Sequence, residues 1–331
     1  MTQLARSTSP AAEAGWRRWY RLLVDRRDLT LLVTIAVMVL VITRVTPHFL
    51  TVINMRTLGM AAAFPGIVVI GMTILMIGGG IDLSVGSTFG LAAIVVGMWI
   101  SAELPLAPGL LLGLLIGLGI GLINALLINR FMLSPFLATL GTMSIFRGLL
   151  WVVSGGHSIV GMSGAFTSIG QVKLLGVQSP VYIMLALAII FDFLLRRSTF
   201  LRQMYYIGIN RSSAAAAGIP VARATGIAYI LTALLAAFAG ILDGARLGAV
   251  YIQSGSGMEF QVITAAVIGG TSLSGGKGTI FGSLLGVFVM VILTNAFNLV
   301  GVSMYWQSVL VGIVLIVVVA LDRLTTPREV R

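Results

Sequence analysis

Two glycine-flanked segments hold the residues whose types and spacing suggest chemistry. The first, Gly78-Gly79-Gly80-Ile81-Asp82-Leu83-Ser84-Val85-Gly86-Ser87, sets one carboxylate between apolar runs. Glycines can unwind a helix, so Asp82 either lines a path or gate, or fixes the start of the next helix. In the second case Ser84 and Ser87 are expected to cap that helix, whose positive end suits the acid. The second segment, Thr271-Ser272-Leu273-Ser274-Gly275-Gly276-Lys277-Gly278, comes close to a phosphate-binding loop, Gly-x-x-x-x-Gly-Lys-Ser/Thr. Thr271 stands where glycine is required, and Gly278 where a hydroxyl must hold magnesium. An apolar run follows, not a soluble α/β unit. ATP hydrolysis by this chain is therefore not expected, and Lys277 reads as the water-reaching end of a broken segment.

Thiol and metal chemistry find no candidates. There are no cysteines, and the two histidines, His48 and His157, lie far apart without ligand-spaced partners. No residue reads as catalytic and none as a metal ligand. Polar residues inside apolar runs remain, and in lipid such residues are costly and often functional. They are Asn124, Arg147, Asp192, Asn295 and Gln307. Asp192 precedes Arg196 by four, so an intrahelical pair explains it. Arg147 either lies near a path or pairs with a neighbouring helix. Asn124 and Asn295 either bond helix to helix or meet a substrate.

The elements that must position these residues follow from composition. Apolar residues make up 58% of the 331, charged residues 9%, and the mean hydropathy is +1.06. Soluble domains carry about 25% charged residues, so the surface must face lipid. An all-α integral membrane protein is expected, because helices satisfy their backbone internally. Apolar runs of span length cover Leu29–Val45, Leu58–Ile77, Val85–Ser101, Pro108–Asn129, Phe136–Ser154, Val181–Leu195, Thr225–Leu242, Thr279–Val300 and Tyr305–Leu321. Phe260–Gly270 is shorter and suits a tilted or broken crossing. The net charge of +11 sits mainly at span ends. The arginines therefore read as topology signals, and no nucleic-acid partner is expected. Residues 196–223 hold Arg196, Arg197, Arg202, Arg211 and Arg223 without an acid, and the tail holds Arg323, Arg328 and Arg331. The positive-inside rule places both in the cytoplasm. With the Arg-rich amino terminus also inside, the short stretch must cross, giving about ten crossings. The expected divisions are 1–28 as a cytoplasmic segment, 29–321 as the transmembrane domain with 196–224 as a cytoplasmic loop, and 322–331 as a cytoplasmic tail.

Glycine spacing anticipates how the helices pack. Gly109, Gly113, Gly117 and Gly121 fall on one helix face, as do Gly278, Gly282 and Gly286, so another backbone can approach closely. The two glycine-flanked segments also echo each other. Ile77-Gly78-Gly79 with Leu83-Ser84, Gly86 and Phe89-Gly90 resembles Ile268-Gly269-Gly270 with Leu273-Ser274, Gly278 and Phe281-Gly282. Downstream, Asn124-Ala125 echoes Asn295-Ala296. Glycine-broken segments at corresponding places in a repeat point to a transport pathway.

Gly79-Gly80-Ile81-Asp82-Leu83-Ser84-Val85-Gly86-Ser87 resembles the signature of the ribose-type sugar permeases of bacterial ABC importers. Val267-Ile268-Gly269-Gly270-Thr271-Ser272-Leu273-Ser274-Gly275-Gly276-Lys277-Gly278-Thr279 is similar to a second family motif. Gly208-Ile209-Asn210 through Gly218-Ile219-Pro220-Val221 is similar to a third. There Asn210, Ala214, Gly218 and Ile219 match, while Arg211 and Ser212 replace an acidic pair and Ala217 replaces a serine. The resemblance implies a permease subunit in the inner membrane that carries a monosaccharide inward. Gly208, Asn210, Ala214, Gly218 and Ile219 would form a short helix docking on a separate cytoplasmic ATPase, and that ATPase would bind ATP and magnesium. Further implied partners are a second permease copy or a related permease, a periplasmic sugar-binding protein and the lipid bilayer. Pathway or gate candidates are Asp82, Ser84, Asn124, Thr271, Ser272 and Asn295. Trp151, Tyr251, Tyr305 and Trp306 fit interface anchors, and no cluster of sugar-contacting residues is evident. The same superfamily includes branched-chain amino-acid permeases, but Ile81-Asp82-Leu83-Ser84 points to sugar. An ion-driven sugar transporter would want several buried acids. A membrane enzyme would need clustered acids or metal ligands.

Overall fold

A computed structural model describes residues 27–325. The expected cytoplasmic stretch with Arg17, Arg18, Arg21 and Arg26, and the tail with Arg328 and Arg331, lie outside the described residues. The helices are α1 (Arg27–Val45), α2 (Val52–Ile77), α3 (Val85–Ser101), α4 (Leu106–Asn129), α5 (Pro135–Ser154), α6 (Ala165–Gln171), α7 (Ser179–Arg197), α8 (Thr199–Ile209), α9 (Arg211–Ala216), α10 (Val221–Leu247), α11 (Met258–Ile268), α12 (Ile280–Val300) and α13 (Met304–Thr325). Among the described residues seven of them, α1, α2, α4, α5, α7, α10 and α12, are long and apolar enough to cross a membrane. Shorter apolar helices are α3, α11 and the Tyr305–Val317 part of α13.

Each apolar run becomes a helix, and the ends differ for local reasons. α2 starts at Val52, ahead of the apolar run at Leu58, because the Thr51 hydroxyl accepts the Asn54 N–H at 3.3 Å and caps it. α10 runs on to Leu247, where Gly248 takes a left-handed conformation and closes it. The stretch Gly155–Gln178 holds more structure than a loop. It contains β1 (Ile159–Val160), α6, and the hairpin of β2 (Lys173–Leu174) with β3 (Val177–Gln178). The hairpin turns on Leu175-Gly176, both at positive φ, not on the Asn-Gly pair that marks such turns in a sequence. β1 pairs antiparallel with β4 (Ala249–Val250), Ile159 opposite Val250.

α2 is the axis of the bundle. Its side chains are nearly all buried from Leu58 to Ile77, against α10, α12, α7 and α11. α4 shows how the layers are built. Its Gly109, Gly113, Gly117 and Gly121 face inward, the first two toward Trp99 and Val96 of α3, the last two onto α10 at Ala237 and Ile230. Leu111, Leu115, Leu122 and Leu126 fill the opposite, exposed face. One face thus admits a backbone and the other presents hydrocarbon, as a bilayer requires.

Candidate functional site

The first glycine break follows α2. The N–H groups of Gly78, Gly79 and Gly80 bond back to the carbonyls of Leu75 and Met76, and Gly79 adopts φ +78°. The chain then turns inward and buries Asp82 completely. The Asp82 Oδ1 accepts the Ser84 N–H at 2.8 Å and the Ser84 hydroxyl at 2.6 Å. From α4, the Asn124 amide donates to both carboxylate oxygens at 3.3 and 3.4 Å, and to Ser84 Oγ at 2.9 Å. From α5, the Thr142 hydroxyl donates to Asn124 Oδ1 at 2.8 Å. A buried carboxylate must be paired or hydrogen-bonded, and here dipoles do it. The expected serine caps are corrected. Asp82 takes the Ser84 N–H, Ser84 makes no cap bond, and the Ser87 hydroxyl instead donates to the Met143 carbonyl of α5.

The second break follows α11. The Ser272 N–H donates to the Lys277 carbonyl and the Gly275 N–H to the Ser272 carbonyl, closing a tight turn with Lys277 exposed. Thr271 is buried, its hydroxyl 3.0 Å from that of Ser283. Thr279 caps α12 through the Gly282 N–H at 3.0 Å. Gly278 lies against Thr271, while Gly282 and Gly286 lie against the backbone of Gly269 and Ala265, so α11 and α12 nearly touch.

The two breaks meet. The Gly276 N–H donates to the Ile77 carbonyl at 2.8 Å. Below them lies α8, whose Leu201, Met204 and Ile207 are buried. Gly208 of α8 sits between the Ile77 carbonyl and the Gly276 nitrogen, where no side chain fits. Three turns of chain remote in sequence thus share one contact. The Tyr205 hydroxyl donates to the Gly278 carbonyl at 2.8 Å. Burial, with Asp192 nearby, pushes this phenol up, so it remains a donor at neutral pH.

Asn210 ends α8 and begins α9, accepting the Ser213 N–H at 2.9 Å and the Ser212 hydroxyl at 2.8 Å. Gly218, at φ +83°, closes α9: its N–H reaches the Ala215 carbonyl and the Ile219 N–H the Ala214 carbonyl. Only Ala214 of this helix is buried, leaving Arg211, Ser212, Ser213, Ala215 and Ala216 as an exposed knob.

The remaining candidates lie elsewhere. Asn295 exchanges amide hydrogen bonds with Asn54 of α2 at 2.8 and 3.0 Å, and so joins α12 to α2. Arg147 donates from α5 to the Ser254 carbonyl at 2.9 Å. Asp192 and Arg196 pair at 2.7 Å. Among the described residues no three His, Cys, Asp or Glu side chains could hold a metal. At the end opposite α8, Arg56, Lys173 and Arg246 line one recess of about 290 Å³. Arg246 pairs with Asp243 at 3.7 Å and lies 5.9 Å from the Phe64 ring centroid. Asn54, Tyr205 and these cations are absent from the sequence candidates. Tyr205 was within reach, since Leu201, Met204, Tyr205 and Gly208 share a helical face. The cations come from three separate elements and carry no local signal.

Among the described residues, seven helices long and apolar enough to cross a membrane, with two meeting glycine turns and a capped exposed helix beneath them, fit a multi-pass membrane protein. A family model described as "Branched-chain amino acid transport system / permease component" matches residues 54–319, and the chain belongs to that permease family. It is 41% identical over 290 residues to the ribose import permease protein RbsC of Bacillus subtilis (strain 168), covering 87% of this chain and 90% of that one. It is 36% identical to the L-arabinose transport system permease protein AraH of Escherichia coli (strain K12), over 88% and 89% of the two chains. The D-allose transport system permease protein AlsC of the same strain is 35% identical, over 88% and 90%. No solved structure matches the chain.

Proposed function

We propose that this chain is the transmembrane permease subunit of an ATP-binding-cassette importer that moves a monosaccharide into the cytoplasm. Relatives named for ribose, L-arabinose and D-allose, each matched along most of both chains, support sugar as cargo. The family description keeps branched-chain amino acids as the second cargo class. The chain is a transport subunit and not an enzyme. ATP and magnesium belong to the partner ATPase.

The observation that carries the mechanism is Gly208 wedged against both breaks. In our reading the Arg196–Arg223 side is cytoplasmic and both termini lie there. The shorter α3, α11 and α13 cross with the seven longer helices to make ten. The divisions are then 1–28 and 322–331 in the cytoplasm, 29–321 in the membrane, and 196–224 as the coupling loop. The α9 knob, set by Asn210, Ala214, Gly218 and Ile219, docks in a groove of the ATPase. Motion of that groove passes through α8 to the end of α2 and the end of α11 together. The hydrogen-bonded groups Asp82, Ser84, Asn124, Thr271 and Ser272 latch the helices around this gate, while Asn295 ties α12 to the far end of α2 through Asn54. A second copy, or a related permease, completes the path. A periplasmic sugar-binding protein docks outside, its acidic side chains meeting Arg56, Lys173 and Arg246, which run against the charge bias of the chain.

Reconstitution with the ATPase and binding protein tests this. Uptake of labelled ribose, arabinose or allose is expected only with ATP and magnesium on the ATPase side. Uptake that ignores ATP but stops when ion gradients collapse overturns the importer reading. Leucine transport with no sugar transport reassigns the cargo.

A further inference from the structure

A recess of about 610 Å³ between α11, α12 and α13 lies apart from the glycine breaks. Its lining includes Ser256, Phe260, Gln261, Thr294 and Gln307. We propose that this recess is the wall of the sugar path, where Ser256, Gln261, Thr294 and Gln307 offer hydroxyl-pairing groups and the Phe260 ring offers an apolar face to a monosaccharide. The inference rests on the importer reading and names the surface that the cargo touches.

The backbone leading to the recess makes the case. Val250 packs beside Gly97, Ser254 beside Gly90, and Gly255 against Gly86, all on α3. Gly97 to Gly86 spans about 16 Å of helix at 1.5 Å per residue. The segment 251–257 therefore descends deep along α3 as turns, before α11 begins at Met258. Non-helical backbone at that depth is tolerated only where it is buried in protein or lines a watery cavity. Protein seals one side: Gly86 and Gly255 abut, and Arg147 holds the Ser254 carbonyl at 2.9 Å. The other side carries Ser256 and Gly257 into the recess.

The recess is two-sided: Val311, Leu315 and Ile316 of α13 give it an apolar wall, and polar side chains from the 251–257 segment, α11 and α12 face it. The Ser256 hydroxyl and Gln261 amide have no hydrogen-bond partner among the described residues. Thr294 donates to the Met290 carbonyl and so keeps its acceptor side. Gln307 donates to Asn298 at 2.6 Å. Phe260 is 44% exposed. By contrast, the outward face of α4 is a row of leucines. Amides and hydroxyls beside a ring are the groups that recognise a polyol, and the volume falls in the range of about 300–1,000 Å³ usual for small-ligand sites. In the assembled importer the second permease would cover the recess.

The absence of cysteine from the chain gives a direct test. Ser256→Cys, Gln261→Cys and Thr294→Cys are made singly, with Leu122→Cys as the lipid-face control. Each is assembled with the ATPase and binding protein in proteoliposomes and exposed to a charged, membrane-impermeant methanethiosulfonate reagent. The three recess cysteines are expected to react much faster than Leu122→Cys, to be slowed by a transported sugar, and to block uptake once labelled. Gln261→Leu is expected to lower uptake by about two- to ten-fold, as loss of one hydrogen bond does, while still co-purifying with the ATPase. Cysteines no more reactive than Leu122→Cys, or ones that cross-link to the second copy without loss of uptake, overturn the proposal in favour of lipid or a packing seam. Failure of the unsubstituted complex to move any sugar overturns the importer reading instead, and labelling still reports separately whether the recess is wet.

Discussion

The Tyr205 hydroxyl of α8 donates a 2.8 Å hydrogen bond to the Gly278 carbonyl, two residues before α12 begins. This ties the connection that carries the α9 knob to the second break at a fixed point. Tyr205→Phe removes the bond and keeps the ring. Loss of one such bond is worth about 1 kcal/mol, so uptake per ATP hydrolysed is expected to fall several-fold with normal assembly. The raised phenol pKa sets the pH behaviour. Below the ordinary value of 10.0 the hydroxyl is protonated in both folded and unfolded chains, and the bond is fully present. Above it the unfolded chain ionises first, which weakens the folded form. Coupling should therefore be flat through neutral pH. A decline centred near neutrality would remove Tyr205 from the coupling path.

Gly208 and Ala215 separate fit within the bundle from fit to a partner. Gly208→Ala sets a methyl against the Ile77 carbonyl and Gly276 nitrogen, and overpacking of this kind costs about 1–3 kcal/mol. Thermal stability of the purified chain and uptake should both drop. Ala215→Trp, on the exposed face of α9, should leave stability unchanged and abolish co-purification with the ATPase. Retained co-purification would show that the knob is not the docking element.

Seven long apolar helices were legible among the described residues because lipid imposes length and apolarity on each helix separately. The α9 caps were legible too, since Asn210 and Gly218 act within a few residues of themselves. What the sequence hides is contact between distant segments. Gly208 appears there as part of a motif, but nothing local says that it lies under Ile77 and Gly276. Asp82 appears beside two serines that could cap a helix. Beyond Ser84, its partner is Asn124 from α4, which is itself held by Thr142 of α5. The recess residues are likewise split over three helices, so Gln261 and Thr294 look like ordinary span residues until the fold brings them together.

Asp82 and Asn124 offer an exchange experiment. Asp82→Asn keeps an oxygen for Ser84 but turns its amide toward the Asn124 amide, two donors facing each other. Burial of unpaired polar groups costs about 1–3 kcal/mol, so the thermal midpoint in detergent should fall. Adding Asn124→Asp restores a donor–acceptor pair and leaves an acceptor for Thr142. The double variant should recover part of the lost stability, since Ser84 Oγ still loses its Asn124 donor, with a clear coupling energy in the mutant cycle. Additive losses would mean that the two residues do not act as a bonded pair.

Among the described residues, no acid lines the recess that Arg56, Lys173 and Arg246 share. Asp243 already engages Arg246, so Arg56 and Lys173 are the better probes. If the binding protein docks there through acidic side chains, association should weaken as salt is added, since exposed charges are screened over about 10 Å at 0.1 M. Arg56→Glu and Lys173→Glu should each slow association further and flatten its salt dependence, because charge complementarity acts mainly on the on-rate. Arg44→Glu is the control: an exposed cation at the same end of the bundle but outside the recess. The measurement is binding of the sugar-loaded binding protein to the reconstituted transporter across a salt series. Equal slowing by Arg44→Glu would reduce the effect to general surface charge, and no slowing by Arg56→Glu or Lys173→Glu would remove the recess from the docking surface.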